Sequence, residues 1–280
     1  MSANVATETG FLPVDQGKLY YEVAGTGRPL LLIHADVADT RMWDEQFAAF
    51  ARHYRVIRYD KRTFGQTTTA NGTFSFRDDI LALLAHLGIT KTAVLGLSNG
   101  GALALDFTLE HPELVDALIV VAGGVSGVQE VPDPPTAAEE ALFAQYEALE
   151  NSPEKDYDAL TELGVHAWGD GPNQPEGRAD ASVRERLRTM IANNYRLHGS
   201  EEVKSKPLDP PAVGRLGEVR VPTLVIVGDY DESATIAMMN MLAVAVPGAR
   251  KVVFPGTAHM VNMEQPERFN ATVLGFLASV

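Results

Sequence analysis

Short runs of apolar and β-branched residues alternate along the chain with longer stretches whose apolar positions recur every three to four residues. The short runs at 18–23, 29–34, 54–59, 92–97, 117–121, 223–227 and 250–254 predict strands. Several of them lack polar alternation, the pattern of strands covered on both faces. The longer stretches at 41–51, 75–87, 100–110, 234–245 and 266–278 predict helices. The third stops at His111-Pro112, because proline pushes the residue before it out of the helical region. Strand and helix in alternation predict an α/β fold with a mostly parallel central sheet flanked by helices.

Between 125 and 217 that alternation lapses. The segment opens with Val131-Pro132-Asp133-Pro134-Pro135-Thr136, carries helical patterns at 137–150, 157–167 and 182–198, and is punctuated by Gly169-Asp170-Gly171-Pro172. It divides the chain into a core formed by 1–124 and 218–280 and an inserted helical cap or lid at 125–217. A cap over the C-terminal edge of the sheet would roof a pocket at the place where open α/β sheets put their ligands.

Candidate chemistry sits at the ends of the predicted strands. Gly96-Leu97-Ser98-Asn99-Gly100, between the run at 92–97 and the helix at 100–110, reads as a nucleophile elbow: a tight strand-to-helix turn that lifts a serine hydroxyl above the sheet. The turn also places Ser98 at a helix N-terminus, where free backbone N–H groups can stabilise an oxyanion. A serine hydroxyl needs a base, and the base needs a group to orient it. Of seven histidines, His259 lies in a loop after the last strand, on the same sheet edge as Ser98. His53, His86, His111, His166 and His198 fall on or beside helical patterns. Asp231, in Gly228-Asp229-Tyr230-Asp231 after another strand, is the chosen acid, with Asp229 expected to bond loop backbone. The order Ser98, Asp231, His259 is the one this kind of hydrolase uses.

With these stand Leu31-Leu32-Ile33-His34-Ala35-Asp36, Arg41-Met42-Trp43-Asp44, Arg58-Tyr59-Asp60-Lys61-Arg62-Thr63-Phe64-Gly65 and Ala258-His259-Met260-Val261-Asn262-Met263-Glu264-Gln265-Pro266. Over nearly its full length the chain resembles the α/β-hydrolase fold superfamily. The likeness is to its small capped serine esterases and lactonases, and Arg-Met-Trp-Asp is similar to enol-lactone hydrolases. The resemblance implies a cofactor-free hydrolase acting on small ester or lactone substrates, with backbone N–H groups of Asp36 and Asn99 as the oxyanion hole. Two positions depart from the family pattern. His-Gly-x is replaced by His34-Ala35-Asp36, so a carboxylate stands beside the hole and must point away, pair with a cation or shape specificity. Thr63 replaces a glycine. Ser98 rather than aspartate at the elbow argues against haloalkane dehalogenase and epoxide hydrolase chemistry. His34, Ala35, Trp168, Tyr195 and Met260 are the pocket candidates, with His34 also expected to bond loop backbone.

Composition narrows the classes further. A net charge of −14 argues against nucleic acid and anionic membrane partners, which it would repel at long range. The absence of cysteine removes disulfides, thiolate metal sites and a cysteine nucleophile. No His/Asp/Glu cluster has convincing metal-ligand spacing, so no metal is expected. The polar start and the lack of a long apolar run predict no signal peptide or membrane span, and a cytoplasmic enzyme. Carbon–carbon bond hydrolysis or perhydrolysis with the same three residues, or a ligand receptor without turnover, remain open alternatives.

Overall fold

The computed structural model describes residues 6–131 and 133–280. The first five positions of the polar start and Pro132 of the proline-rich segment lie outside the described residues. Among the described residues eleven strands form, β1 (Thr7–Val14), β2 (Gly17–Ala24), β3 (Pro29–Ile33), β4 (Arg55–Tyr59), β5 (Thr68–Thr69), β6 (Gly72–Phe74), β7 (Thr92–Leu97), β8 (Val115–Val121), β9 (Val203–Ser205), β10 (Thr223–Gly228) and β11 (Arg250–Phe254). The α-helices are α1 (Asp44–Phe50), α2 (Phe76–His86), α3 (Asn99–Glu110), α4 (Ala137–Glu150), α5 (Tyr157–Gly164), α6 (Ala181–His198), α7 (Ser233–Ala245), α8 (Val261–Glu264) and α9 (Pro266–Leu277). None is long and apolar enough to cross a membrane.

The main sheet runs β1-β2-β4-β3-β7-β8-β10-β11, with β5 added to β2. From β4 to β11 every neighbouring pair is parallel, while β2 pairs antiparallel with both β1 and β4. The chain leaves β3 for β4 on one side and returns to β7 on the other. This reversal opens a crevice at the C-terminal ends of β3 and β7, the switch point at which such sheets hold ligands.

Successive residues of the central strands feed opposite faces. Leu30 and Leu32 join one core with Trp43, Phe47 and Leu95; Leu31 and Ile33 join the other with Val94, Phe107 and Leu118. All six residues of β7 and of β10 are buried, which explains their lack of polar alternation.

Each of the seven sequence-derived strands forms to within two residues of its expected bounds. β1 had no apolar alternation to betray it: of its eight residues only Leu12 is buried, as befits the edge of a sheet. The helix expected at 41–51 begins as a 3₁₀ turn, Thr40–Trp43, capped by Asp39 accepting from the Arg41 N–H. The helix expected at 157–167 is α-helical only to Gly164 and continues as a π-helical turn, Val165–Asp170, that carries Trp168. Segment 125–217 supplies α4, α5 and α6 between β8 and β10, together with β9, which pairs with β6 in a separate small sheet.

The elbow depends on two missing side chains. A Cβ on Gly96 would lie 2.0 Å from the Gly100 carbonyl oxygen, and one on Gly100 would lie 2.4 Å from that of Ile33. Helix α3 therefore sits directly on the ends of β7 and β3. Gly100→Ala is expected to cost about 3 kcal/mol in chemical denaturation. Gly275→Ala, in α9 with open space around it, should instead stabilise by about 0.5–1 kcal/mol; equal effects of the two would contradict this packing.

Candidate active site

Ser98 occupies the turn between β7 and α3 at φ 59° and ψ −128°. Few non-glycine residues adopt this conformation, and it is held from both sides: the Ser98 N–H donates to the Val121 carbonyl at 2.9 Å, and the Ser98 carbonyl accepts from the Gly101 N–H at 2.8 Å. The hydroxyl makes no hydrogen bond among the described residues and opens onto a cavity of about 260 Å³. Its neighbour Ala122, following β8, also takes a positive φ of 45° and lines the same space.

His259 follows β11 and Asp231 follows β10, so parallel pairing brings both loops to the edge that carries Ser98. The Nδ1–H of His259 donates to Asp231 across 2.9 Å and 3.0 Å to the two carboxylate oxygens. Both side chains are nearly sealed from solvent, at 4% and 2% exposure. The opposite nitrogen, Nε2, is buried without a partner, and His259 lines the cavity that Ser98 opens onto. Burial opposes charging of His259, but the adjoining Asp231 carboxylate outweighs it and holds the imidazole pKa above its ordinary value. The Glu232 N–H donates to Asp231 at 2.9 Å and fixes its rotamer. Asp229 instead accepts from the Gly256 N–H at 2.6 Å, as its sequence position suggested.

Across the cavity, Asp36 follows β3. One of its carboxylate oxygens meets the Lys61 ammonium, and the other accepts from the Asn99 side-chain amide at 2.5 Å. Lys61 is 3% exposed, so a buried cation balances the carboxylate. Desolvation raises the Asp36 pKa, but Lys61 and Asn99 prevail and keep it below the usual carboxylate value. The Asp36 and Asn99 backbone N–H groups have no acceptor among the described residues.

His34 and Ala35 are fully buried and do not line the Ser98 cavity, contrary to the pocket roles expected of them. The Nδ1–H of His34 donates to the Ala35 carbonyl at 2.7 Å, and Nε2 accepts from the Lys61 N–H at 2.9 Å. This residue ties together the loops that follow β3 and β4. Burial, and then the Lys61 charge, drive its pKa down to about 3. Met260 is likewise core and lines neither the Ser98 cavity nor its neighbour. Trp168 does line the Ser98 cavity, with Val37, Phe143, Glu232, Thr235 and Met238. Tyr195 lines a second cavity of about 440 Å³ that shares Asp36, Val37 and Trp168 with the first. There its hydroxyl lies 2.5 Å from that of Tyr146, whose ring packs T-shaped against Trp168. Glu232 and Tyr146 escaped the sequence reading. Glu232 directly follows Asp231, and Tyr146 shares a helix face with Glu150, another residue of the second cavity.

A sequence model of the alpha/beta hydrolase fold matches residues 28–266. The chain belongs to the α/β-hydrolase family. The 2-hydroxy-6-oxononadienedioate/2-hydroxy-6-oxononatrienedioate hydrolase of Burkholderia vietnamiensis is 31% identical, covering 93% of this chain and 91% of its own. A thermophilic esterase from Thermogutta terrifontis shares 26% identity at a TM-score of 0.75, covering 99% of each chain. The enol-lactonase of Burkholderia xenovorans LB400 shares the fold, with a TM-score of 0.72 at 23% identity over 96% of this chain and 100% of its own.

The two departures from the α/β-hydrolase pattern are both accommodated. Asp36 pairs with a cation, one of the outcomes its sequence position allowed. Thr63 stands at φ 69°, the left-handed region a glycine enters without penalty. Its hydroxyl donates to the Arg62 carbonyl at 2.6 Å, so the loop keeps a glycine-like shape.

His34 and His259 should separate in an NMR titration of the imidazoles. His259 is expected to protonate above the ordinary midpoint of about 6.5, whereas His34 should stay neutral down to about 3. The unfolded chain gains a proton on His34 near pH 6.5 and the folded one does not, so this residue's contribution to stability is complete above that pH and is lost towards pH 3. A His259 midpoint below 6.5 would contradict the coupling to Asp231.

Proposed function

We propose that this α/β-hydrolase cleaves small, uncharged carboxylic esters or lactones through an acyl-serine intermediate. One observation carries the reading. His259, oriented by Asp231 and with its Nε2 unpartnered, lines the same cavity as the constrained Ser98. Ser98 Oγ attacks the carbonyl carbon as its proton passes to Nε2, and the carbonyl electron pair moves onto oxygen. The Asp36 and Asn99 N–H groups receive that oxyanion. Collapse breaks the carbon–oxygen bond, and the leaving alkoxide takes the proton from His259. A water then gives its proton to His259 and attacks the acyl carbon; collapse of this second intermediate returns the proton to Ser98 and releases the acid. Segment 125–217 acts as the cap, since α4, the π-helical turn and α6 contribute Phe143, Tyr146, Trp168 and Tyr195 to the walls.

The choice of an uncharged substrate rests on the lining. Among the described residues of the two cavities there is no lysine or arginine, while Asp36, Glu150, Glu201 and Glu232 are present. A dioate such as the one named for the Burkholderia vietnamiensis relative would meet carboxylates without a cation to receive it. That relative's identity is the observation favouring carbon–carbon cleavage as the second reading. A receptor without turnover loses its main support once Lys61 neutralises Asp36.

In assays, Ser98→Ala should lower turnover of p-nitrophenyl acetate by at least about 10⁴-fold while circular dichroism stays unchanged. Against the wild type, a hemisuccinate ester should show kcat/KM at least about 10-fold below that of its neutral counterpart. Near-wild-type rates in Ser98→Ala, or a preference for the anionic hemisuccinate, would contradict the reading.

A further inference from the structure

The Asp36 carboxylate occupies an unusual place in the sheet. Its residue follows β3, Lys61 follows β4 and Asn99 follows β7, and these strands are adjacent in the order β4-β3-β7. One carboxylate thus binds the C-terminal ends of three neighbouring strands, with Lys61 on Oδ1 and Asn99 on Oδ2. The same two residues, Asp36 and Asn99, own the two acceptor-free N–H groups beside Ser98. Among the described residues the Asp36 side chain bonds Lys61 and Asn99, and the Asn99 side chain bonds Asp36 alone.

We propose that Asp36 is a positioning residue that sets the spacing of the oxyanion hole by clamping the Asn99 side chain across it, with Lys61 cancelling the charge this introduces. The inference rests on the serine-hydrolase reading above. An oxyanion donor acts only if its N–H is already aimed at the oxygen when charge develops. The Asn99 N–H is carried by the first residue of α3, and the Asp36 N–H by a loop, so their separation is not fixed by regular hydrogen bonding. Both side chains are short, and the 2.5 Å hydrogen bond between them fixes that separation. Lys61 answers the electrostatic objection. Buried against Asp36, with the Phe64 ring 5.1 Å away, it makes the pair nearly neutral as seen from the cavity.

The decisive variant is Asn99→Ala, because Asn99 is exposed and its loss leaves the Asp36–Lys61 pair in place. Steady-state kinetics on p-nitrophenyl acetate should show kcat lowered about 10-fold with KM within about 2-fold, less than the roughly 100-fold cost of deleting a donor outright. The inhibition constant of phenylboronic acid, whose tetrahedral adduct with serine puts an oxygen in the same hole, should rise by a similar factor. The melting temperature should not move. Asp36→Ala alone strands a buried ammonium and could unfold the chain, so it is made together with Lys61→Met. In that background Asn99→Ala should add nothing further, the non-additivity expected of residues acting as a unit. Wild-type kcat and inhibition in Asn99→Ala, or full additivity, would overturn the clamp while leaving the hydrolase reading intact. Failure of the wild type itself to react with a fluorophosphonate and to turn over the ester would overturn both.

Discussion

The backbone reversal at Ser98 is the constraint on which the site depends. A strand buried on both faces must end, turn and become a helix within a few residues, and it can do so only because no Cβ stands at positions 96 and 100. That close approach seats α3 against the ends of β7 and β3 and holds Ser98 at a positive φ. Its hydrogen bond to Val121 ties the turn to β8, whose other neighbour, β10, leads to Asp231. The register of four parallel strands thereby becomes the geometry of a hydroxyl, an imidazole and a carboxylate. A shift of any one strand would separate them.

Electrostatics then assigns different states to chemically identical groups. His34 and His259 are both buried, but one sits beside an ammonium and the other on a carboxylate, and their pKa values move in opposite directions. His34 is a neutral strut whose two nitrogens bridge two loops. His259 can take up a proton because Asp231 stabilises its charged form. The carboxylates differ too: Asp231 serves the imidazole, Asp36 is neutralised by Lys61, and Glu232 is pushed up by burial while its oxygen accepts from the Thr235 hydroxyl. An acidic lining therefore coexists with a site at which the proposed reaction would develop an anion.

Much of this was legible in the residues. Central strands announced themselves as unbroken apolar runs, and Gly96, Ser98 and Gly100 marked the turn. The order of Ser98, Asp231 and His259 located three loops that the sheet brings together. What could not be read has physical reasons. β1 is an edge strand with one buried residue, so no periodicity records it. His34, Ala35 and Met260 flank the site in sequence, yet their side chains point into the protein, a matter of backbone direction that strand ends do not encode. Lys61 lies in the segment 58–65 that resembles the family, but its pairing with Asp36 depends on β4 lying beside β3, which is a fact of topology. Trp168 was expected at the pocket from its place beside a glycine-rich turn, and it lines the cavity from a π-helical turn rather than from a helix end.

The proposed chemistry requires that Ser98 become acylated. Rapid acid quenching of the protein after mixing with p-nitrophenyl acetate, followed by mass spectrometry of its peptides, tests it directly. An acetyl adduct on Ser98 that forms and decays with turnover is the result this account predicts. Product accumulating with no adduct on Ser98, or with the adduct on another residue, would contradict it.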